Sequence, residues 1–234
     1  MKSRLIISAF IFVMTLTCGF SKEQAVEKET RNLAGFTRVN FGVSGNLYIN
    51  IGTEFRVVLE GEKSLLDEIE TEISGTKLVI KKDPWYSHGN DKVTIYITMP
   101  ELTGLGVSGS GKAEIKDAIK TENLDFSVSG SGRIVTADLA LGKLNVGISG
   151  SGDVIVGGGG EAKSADVSIS GSGNYSGESL IIGSADFSIS GSGSCKCNVT
   201  DNLEAHVSGS GNITYIGSPK IDARVSGSGR VKSK

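Results

Sequence analysis

One pentapeptide, Val/Ile-Ser-Gly-Ser-Gly, recurs seven times through the second half of the chain at a nearly constant interval. The copies begin at Val107, Val128, Ile148, Ile169, Ile189, Val207 and Val225, and the intervals are 21, 20, 21, 20, 18 and 18 residues. A short and regular period is typical of proteins in which each repeat forms one coil that rests on its neighbours. The spacing therefore predicts a stacked solenoid with rungs of this length.

Apolar residues occupy the same columns in nearly every repeat. They lie four and two residues before the motif, at its Val/Ile, and six residues after it. These positions share one parity, so they face the same way on an extended chain. Stacked rungs would pair in the parallel sense, and parallel connections prefer the right hand. We therefore predict an all-β fold, a right-handed parallel β-helix with one short helix in its N-terminal part. Phe126, Val128, Phe187 and Ile189 are expected to lie in its core.

The motif itself predicts a corner of the coil, because glycine allows close approach and a positive φ. By parity we expect both glycines to face inward and both serines to face outward. Two outward serine ladders would result, from Ser108 to Ser226 and from Ser110 to Ser228. We expect their hydroxyls to be satisfied chiefly by one another and by nearby backbone.

The chain begins with a segment that is typical of a secretory signal. Lys2 and Arg4 precede an apolar stretch, and small residues follow near Ser21. We predict a signal peptide over residues 1–21, with Cys18 as an alternative lipidation site, and hence a location in the periplasm, at the outer membrane or on the cell surface. No later stretch is apolar enough to span a membrane, so we expect no transmembrane segment in the mature chain.

The predicted mature chain carries a small negative charge. Of 24 Lys and Arg residues, two lie in residues 1–21, which hold none of the 26 Asp and Glu residues, so the balance becomes −4. This balance argues against a nucleic-acid partner, which would require a basic patch.

The remaining chain divides by pattern into three parts. Residues 22–33 are charged and aperiodic, which predicts a flexible linker. Residues 34–100 form an irregular β portion with a helix over about Lys63 to Ile73, and residues 101–234 form the regular array. We expect one continuous domain over residues 34–234.

Two sets of residues are candidate ligand contacts. The first is an outward acidic column between the apolar columns of the array, with Asp125, Asp166, Asp186 and Asp222 as its aspartates. Stacked carboxylates repel one another, so either a bound cation or full solvation would relieve them. We favour solvation, because the repeat lacks the Gly-Gly-x-Gly-x-Asp pattern of calcium-binding rolls. The second set is Trp85 and Tyr86, which could stack on a sugar or pack against the coil.

No residue pattern predicts catalysis, a cofactor or a metal site. The serine ladders have no base at fixed spacing, since the chain holds two histidines. Cys195 and Cys197 share the inward face, so we expect buried free thiols rather than a zinc site.

Several segments together resemble one known family. The signal peptide, the Leu65-Leu66-Asp67-Glu68-Ile69 segment, the strand Val93–Ile97 leading to Pro100 and the repeated Val-Ser-Gly-Ser-Gly are similar to the putative auto-transporter adhesin family, head GIN domain. The resemblance implies an exported bacterial β-helix, a non-enzymatic adhesin or binding rod with an unknown surface partner or polysaccharide. A β-helical polysaccharide-degrading enzyme and a structural envelope domain without a ligand remain the alternatives.

Overall fold

A computed structural model describes residues 26–82 and 93–234, and within these ranges the chain is mostly β-strand. The N-terminal elements are β1 Val26–Arg31, β2 Arg38–Gly42, β3 Gly45–Ile51, β4 Arg56–Glu62, α1 Lys63–Asp67, β5 Ile69–Ser74, β6 Lys77–Lys82 and β7 Val93–Met99. The array begins with β8 Gly104–Gly109, β9 Lys112–Ile115, β10 Ile119–Gly130, β11 Arg133–Thr136, β12 Leu139–Gly150 and β13 Asp153–Val156. It continues with β14 Gly160–Gly171, β15 Asn174–Gly191, β16 Ser194–Gly209, β17 Asn212–Ile216, β18 Lys220–Gly227 and β19 Arg230–Ser233.

The array is a parallel β-solenoid, which confirms the predicted fold class. The first glycine of each motif pairs with the first glycine of the next, through all seven copies from Gly109 to Gly227. The motifs therefore occupy the same corner of successive rungs, as the spacing predicts. The right-handed sense stays a prediction.

Each rung of the array contributes strands to three walls of the solenoid. Wall A contains the strand that leads into the motif, residues 123–130 and their partners in register. Wall B contains the strand that leaves the motif, residues 133–136 and their partners. Wall C contains residues 119–121 and their partners. The apolar columns point into the space between the walls, so one continuous core runs along the stack.

The predicted core residues are buried. Phe126, Val128, Phe187 and Ile189 are all at most 3% exposed, and Cys195 and Cys197 are fully buried free thiols. Large side chains of the inward columns are exposed only in the last rung, where Ile221 is 45% exposed. Burial of an inward residue thus depends on a rung lying on each side of it.

The two glycines of each motif have different roles, which corrects the expectation that both face inward. The first is where the chain turns; Gly150, for example, has a φ of +113°, and a Cβ there would lie 2.6 Å from the Gly130 carbonyl oxygen. The second faces inward, and a Cβ on Gly132 would lie 2.6 Å from a methyl carbon of Val107 in the preceding rung. One glycine thus supplies the left-handed backbone, and the other leaves room for a core side chain.

The N-terminal part adds two layers whose order in space differs from their order in the chain. Strands β2 and β3 form one layer, and β6 and β7 form the other. The β2–β3 layer pairs on one side with β6–β7 and on the other with β8–β9. Along the chain β2–β3 comes first and the outermost layer, β6–β7, comes next. The array then begins with β8–β9 on the opposite side of β2–β3.

Antiparallel elements cover this outer layer. Strand β4 pairs with β7, β5 pairs with β6, and β1 pairs with β4. Helix α1 buries Leu65 and Leu66 against the core.

Two sequence-based expectations for this region are wrong. The segment predicted as a flexible linker contains β1, because its residues find a partner edge on β4. The helix predicted to reach Ile73 ends at Asp67, and strand β5 follows. Ile69 and Ile73 are four residues apart, a spacing that fits one face of a helix and one face of a strand equally. Pairing with β6 selects the strand, and Ile73 is 38% exposed.

Candidate ligand-binding face

The acidic column lies in one outward row of wall A, as the alignment predicts. The row runs through Asp125, Asn145, Asp166, Asp186, Glu204 and Asp222, one residue in each rung. The four predicted aspartates are thus brought into line by the stacking. Trp85 and Tyr86 lie outside the described residues.

Asp125 is held by two hydrogen-bond donors. The Arg38 guanidinium donates through Nη1 to one carboxylate oxygen at 2.7 Å, and the Asn145 amide donates to the other at 2.7 Å. Burial by itself would raise the pKa of Asp125, but the bonds from Asn145 and Arg38 outweigh it and hold the pKa below its usual range. Sequence reasoning missed Arg38, which is 87 residues away and meets Asp125 only because β2 stacks beside the array.

Two other acids of the row have a cation beside them, and a third contacts a histidine ring. Lys143 Nζ lies 2.5 Å from the Asp166 carboxylate, and the hydrogen bond raises the pKa of Lys143. Glu204 contacts the His206 ring at 3.0 Å, and Asp222 contacts the Arg224 guanidinium at 3.3 Å. The expected repulsion is therefore offset by a neighbouring cation at Asp125, Asp166 and Asp222.

Asp186 differs from its neighbours in the row. Within the described residues its carboxylate takes part in no hydrogen bond or ion pair. Partial burial raises its pKa, and the nearby Glu204 and Asp166 carboxylates raise it further. Asp186 is thus the acceptor in the middle of the row that remains available to a ligand.

A shallow groove of about 460 Å³ runs beside this row. Its lining includes Asp125, Asn145, Asp166 and Asp186 on one side and Ser127, Ser168 and Ser188 on the other. Gly147 stands in the serine row, between Ser127 and Ser168, and a Cβ there would meet no atom within 4 Å. The missing side chain leaves the middle of wall A open to a ligand.

A second hollow of about 440 Å³ continues along wall A toward the C-terminal end. It is lined by the continuation of the same row, Ser168, Ser188, His206 and Arg224, and by serines of the next outward row. The serine ladders do not bond as we expect: in residues 26–82 and 93–234 the hydrogen bond from a ladder hydroxyl to another serine joins Ser110 to Ser44, which lies outside the array, at 3.1 Å. The other ladder serines thus present free hydroxyls, and wall A as a whole offers carboxylates, an amide and hydroxyls from successive rungs.

Other groups with possible chemistry lie inside the solenoid. Tyr175 is buried beside Phe187, its hydroxyl has no hydrogen-bond partner among the described residues, and burial raises its pKa. Burial likewise raises the pKa of the Cys195 thiol. In the described ranges no three His, Cys, Asp or Glu side chains are placed to hold a metal ion, and no helix there is long and apolar enough to cross a membrane.

Comparison with known proteins gives a family and a set of similar structures. Residues 35–219 match the family described as putative auto-transporter adhesin, head GIN domain. No curated protein sequence matches the chain. A crystal structure of a putative adhesin from Bacteroides fragilis is 28% identical, with a TM-score of 0.84 over 90% of this chain and 98% of that one.

Two further crystal structures share the fold at lower identity. A putative lipid binding protein from Parabacteroides distasonis is 21% identical, with a TM-score of 0.74 over 91% of this chain and 98% of that chain. A putative adhesin from Parabacteroides merdae is 21% identical, with a TM-score of 0.71 over 91% of this chain and 97% of that chain.

Proposed function

Because the chain belongs to the putative auto-transporter adhesin family, head GIN domain, we propose that it is an exported, non-enzymatic adhesion protein whose wall A binds a polysaccharide. The groove beside Gly147 carries this proposal. It is open, it follows the rung stack, and the polar groups along it recur at the spacing of the rungs, ~4.8 Å. An extended polymer with hydroxyls along its length suits such a surface.

The charge of the groove favours an uncharged polysaccharide. The carboxylates of Asp125 and Asp166 are balanced by Arg38 and Lys143, whereas that of Asp186 is not. Unbalanced negative charge would repel pectin-like or alginate-like polymers, but a carboxylate accepts hydrogen bonds well from neutral sugar hydroxyls.

The arrangement of the acids supports binding rather than hydrolysis. Glycosidases place two carboxyl groups on opposite sides of the scissile bond, about 5–10 Å apart. On wall A the acids follow one another along a single row, and Asp125 and Asp166 are each neutralised by a cation. No pair in this row faces across the groove.

Binding to a glycan array by wild-type protein and by a blocked variant tests the polysaccharide proposal. Gly147→Tyr would place a ring in the groove without disturbing the core, because a Cβ there has open space around it. Ala140→Tyr is the matched control, since Ala140 is an exposed small residue of wall C in the same rung. We expect Gly147→Tyr to abolish glycan binding and Ala140→Tyr to preserve it.

Three outcomes would replace the proposal. Equal binding by both variants would move the site away from wall A. Binding to phospholipid vesicles but to no glycan would replace the polysaccharide with a lipid. Turnover of a polysaccharide that a single carboxylate substitution abolished would restore the β-helical enzyme.

Export is the second part of the proposal and has its own test. The charged start and apolar stretch within residues 1–21 motivate it. N-terminal sequencing of protein recovered after export should begin at or close to Lys22. Full-length protein in the cytoplasm would contradict export, and a lipid on Cys18 would place the cleavage site earlier.

A further inference from the structure

The last described rung of the solenoid presents an apolar surface that has a neighbour on one side only. Strand β18 pairs with β16, and β19 pairs with β17. The core residues of β18 are uncovered: Val225 is 44% exposed, whereas Val207, one rung earlier in the same column, is 3% exposed. Terminal rungs of repeat proteins usually carry a polar outer face or a cap, since an open β edge invites another strand.

The backbone of β18 also has unused hydrogen-bonding groups. In the same row of wall A, the Asp125 amide donates backward to the Thr103 carbonyl of the preceding rung at 3.0 Å. Successive residues of a parallel strand direct their amides and carbonyls to alternate neighbours. Asp222 therefore bonds backward like Asp125, and Ile221, Ala223 and Val225 direct their amides and carbonyls toward the open end.

We propose that β18 pairs antiparallel with β18 of a second copy of this chain, about a two-fold axis at Ala223, so that two solenoids join end to end. An isologous contact of this kind needs a self-complementary surface. The proposal concerns assembly and does not depend on what wall A binds.

The sequence of β18 is self-complementary in this register. Ile221 lies opposite Val225 of the second copy, so apolar side chains meet on the core side. Asp222 lies opposite Arg224 of the second copy on the outer side, and the symmetry repeats both pairs. Ala223 meets its own copy at the axis, where a small side chain fits best. The residues that direct their backbone groups to the open end are also those that form hydrogen-bonded pairs in this register.

Other registers match less well. An axis at Val225 would place Arg224 opposite Ser226 and lose the charge pairs. An axis at Ile221 would bring Pro219 into the pairing, where it has no amide to donate. A two-fold axis at Ala223 is therefore favoured on three grounds: the residues that face the open edge form the hydrogen-bonded pairs, opposite charges meet, and Pro219 stays outside the pairing.

The test uses charge reversals at the two outer residues. Protein expressed from the full chain and recovered after export is studied by analytical ultracentrifugation across the micromolar range. Wild-type protein should approach the mass of two chains. Asp222→Arg and Arg224→Asp should each weaken dimerisation by about tenfold or more, because each turns two symmetry-related attractive pairs into like-charge contacts at once.

Mixing the two variants distinguishes an Asp222–Arg224 pair between two copies from the same pair within one strand. Asp222 and Arg224 also pair within their own strand at 3.3 Å, and mixing cannot restore that contact. In the mixture, however, a strand with arginine at both outer positions faces a strand with aspartate at both, so a heterodimer should form where neither variant dimerises alone. The control Glu161→Arg reverses an exposed charge on wall C and should dimerise like wild type.

Each result bears directly on the proposal. All variants should keep the far-ultraviolet circular dichroism of the wild type, because the substituted side chains are exposed. Wild-type protein that stays monomeric would overturn the proposal. So would single reversals that dimerise normally, or a mixture that does not recover the dimer.

Discussion

At the N-terminal end of the solenoid the outermost layer is covered by β1, β4, β5 and α1, whereas at the other end β18 and β19 have no described neighbour on their outer side. The covered end is irregular in sequence, and its chain reverses direction repeatedly. The uncovered end keeps the repeat unchanged. A repeated strand pattern thus extends a solenoid but leaves its edge open, because covering the edge requires residues that break the pattern.

Substitution at the covered end should have the largest effect. Leu66 lies in α1 and is fully buried over the core. Leu66→Ala should lower the free energy of unfolding by about 2–5 kcal/mol, because it leaves a cavity under the cap, that is, under the elements β1, β4, β5 and α1 that cover this end. Denaturant unfolding measures the change. A loss below about 1 kcal/mol would show that the cap contributes little, and the two ends would then be energetically alike.

The next comparison uses one column at two positions along the stack. Val207→Ala removes a side chain that is 3% exposed, and Val225→Ala removes one that is 44% exposed. We expect Val207→Ala to cost about 1.5–3 kcal/mol and Val225→Ala about half of that or less. The measurement is made at protein concentrations below those of self-association. Equal costs would mean that the last rung is covered even in the single chain.

A smaller difference in stability is expected between a glycine substitution at the first corner of the array and one at an interior corner. Gly109 and Gly150 both have positive φ, at +84° and +113°. A Cβ on Gly109 would meet nothing within 4 Å, whereas one on Gly150 would meet the Gly130 carbonyl oxygen at 2.6 Å. Gly109→Ala should cost about 1–3 kcal/mol from backbone strain, and Gly150→Ala more than that. Thermal unfolding of the two variants gives the order; the reverse order would contradict the assigned corner geometry.

The smallest effects concern the pH dependence of stability that two acids of the outward row, Asp125 and Asp186, contribute. The pKa of Asp125 is lowered in the folded state, so its carboxylate stabilises the fold above its ordinary pKa of 3.8 and loses that contribution as the pH falls through the lower folded value. Asp125→Asn should therefore destabilise at neutral pH by about 1 kcal/mol or less, given its exposure, and the difference should vanish in acid.

Asp186 should behave in the opposite way. Its pKa is raised in the folded state, so the ionised carboxylate opposes folding above that raised value, and the opposition disappears below the ordinary pKa of 3.8. Asp186→Asn should be neutral or slightly stabilising at neutral pH and should lose that advantage in acid. Unfolding curves at several pH values measure both variants. The same sign for both would show that the cation beside Asp125 has no energetic role.

The repeat, the corner and the inward columns could all be predicted from the amino-acid sequence. These follow from local rules: a fixed period sets the rung, alternation sets which side chains enter the core, and glycine permits the turn. The alignment also placed Asp125, Asp166, Asp186 and Asp222 in one row, because stacking in register keeps equivalent positions in line.

The position of β2–β3 beside the array is a property of the folded chain, and this position brings Arg38 to Asp125 across 87 residues. The tertiary structure also decided that Ile69 and Ile73 lie on a strand, since the partner edge of β6 outweighs a spacing that suits a helix. The extent of the exposure of Val225 also comes from the fold: Val207, the same residue in the same column one rung earlier, is 3% exposed, whereas Val225 is 44% exposed. In each case the deciding contact comes from a distant part of the chain or from a neighbouring rung, and local sequence carries no information about such contacts.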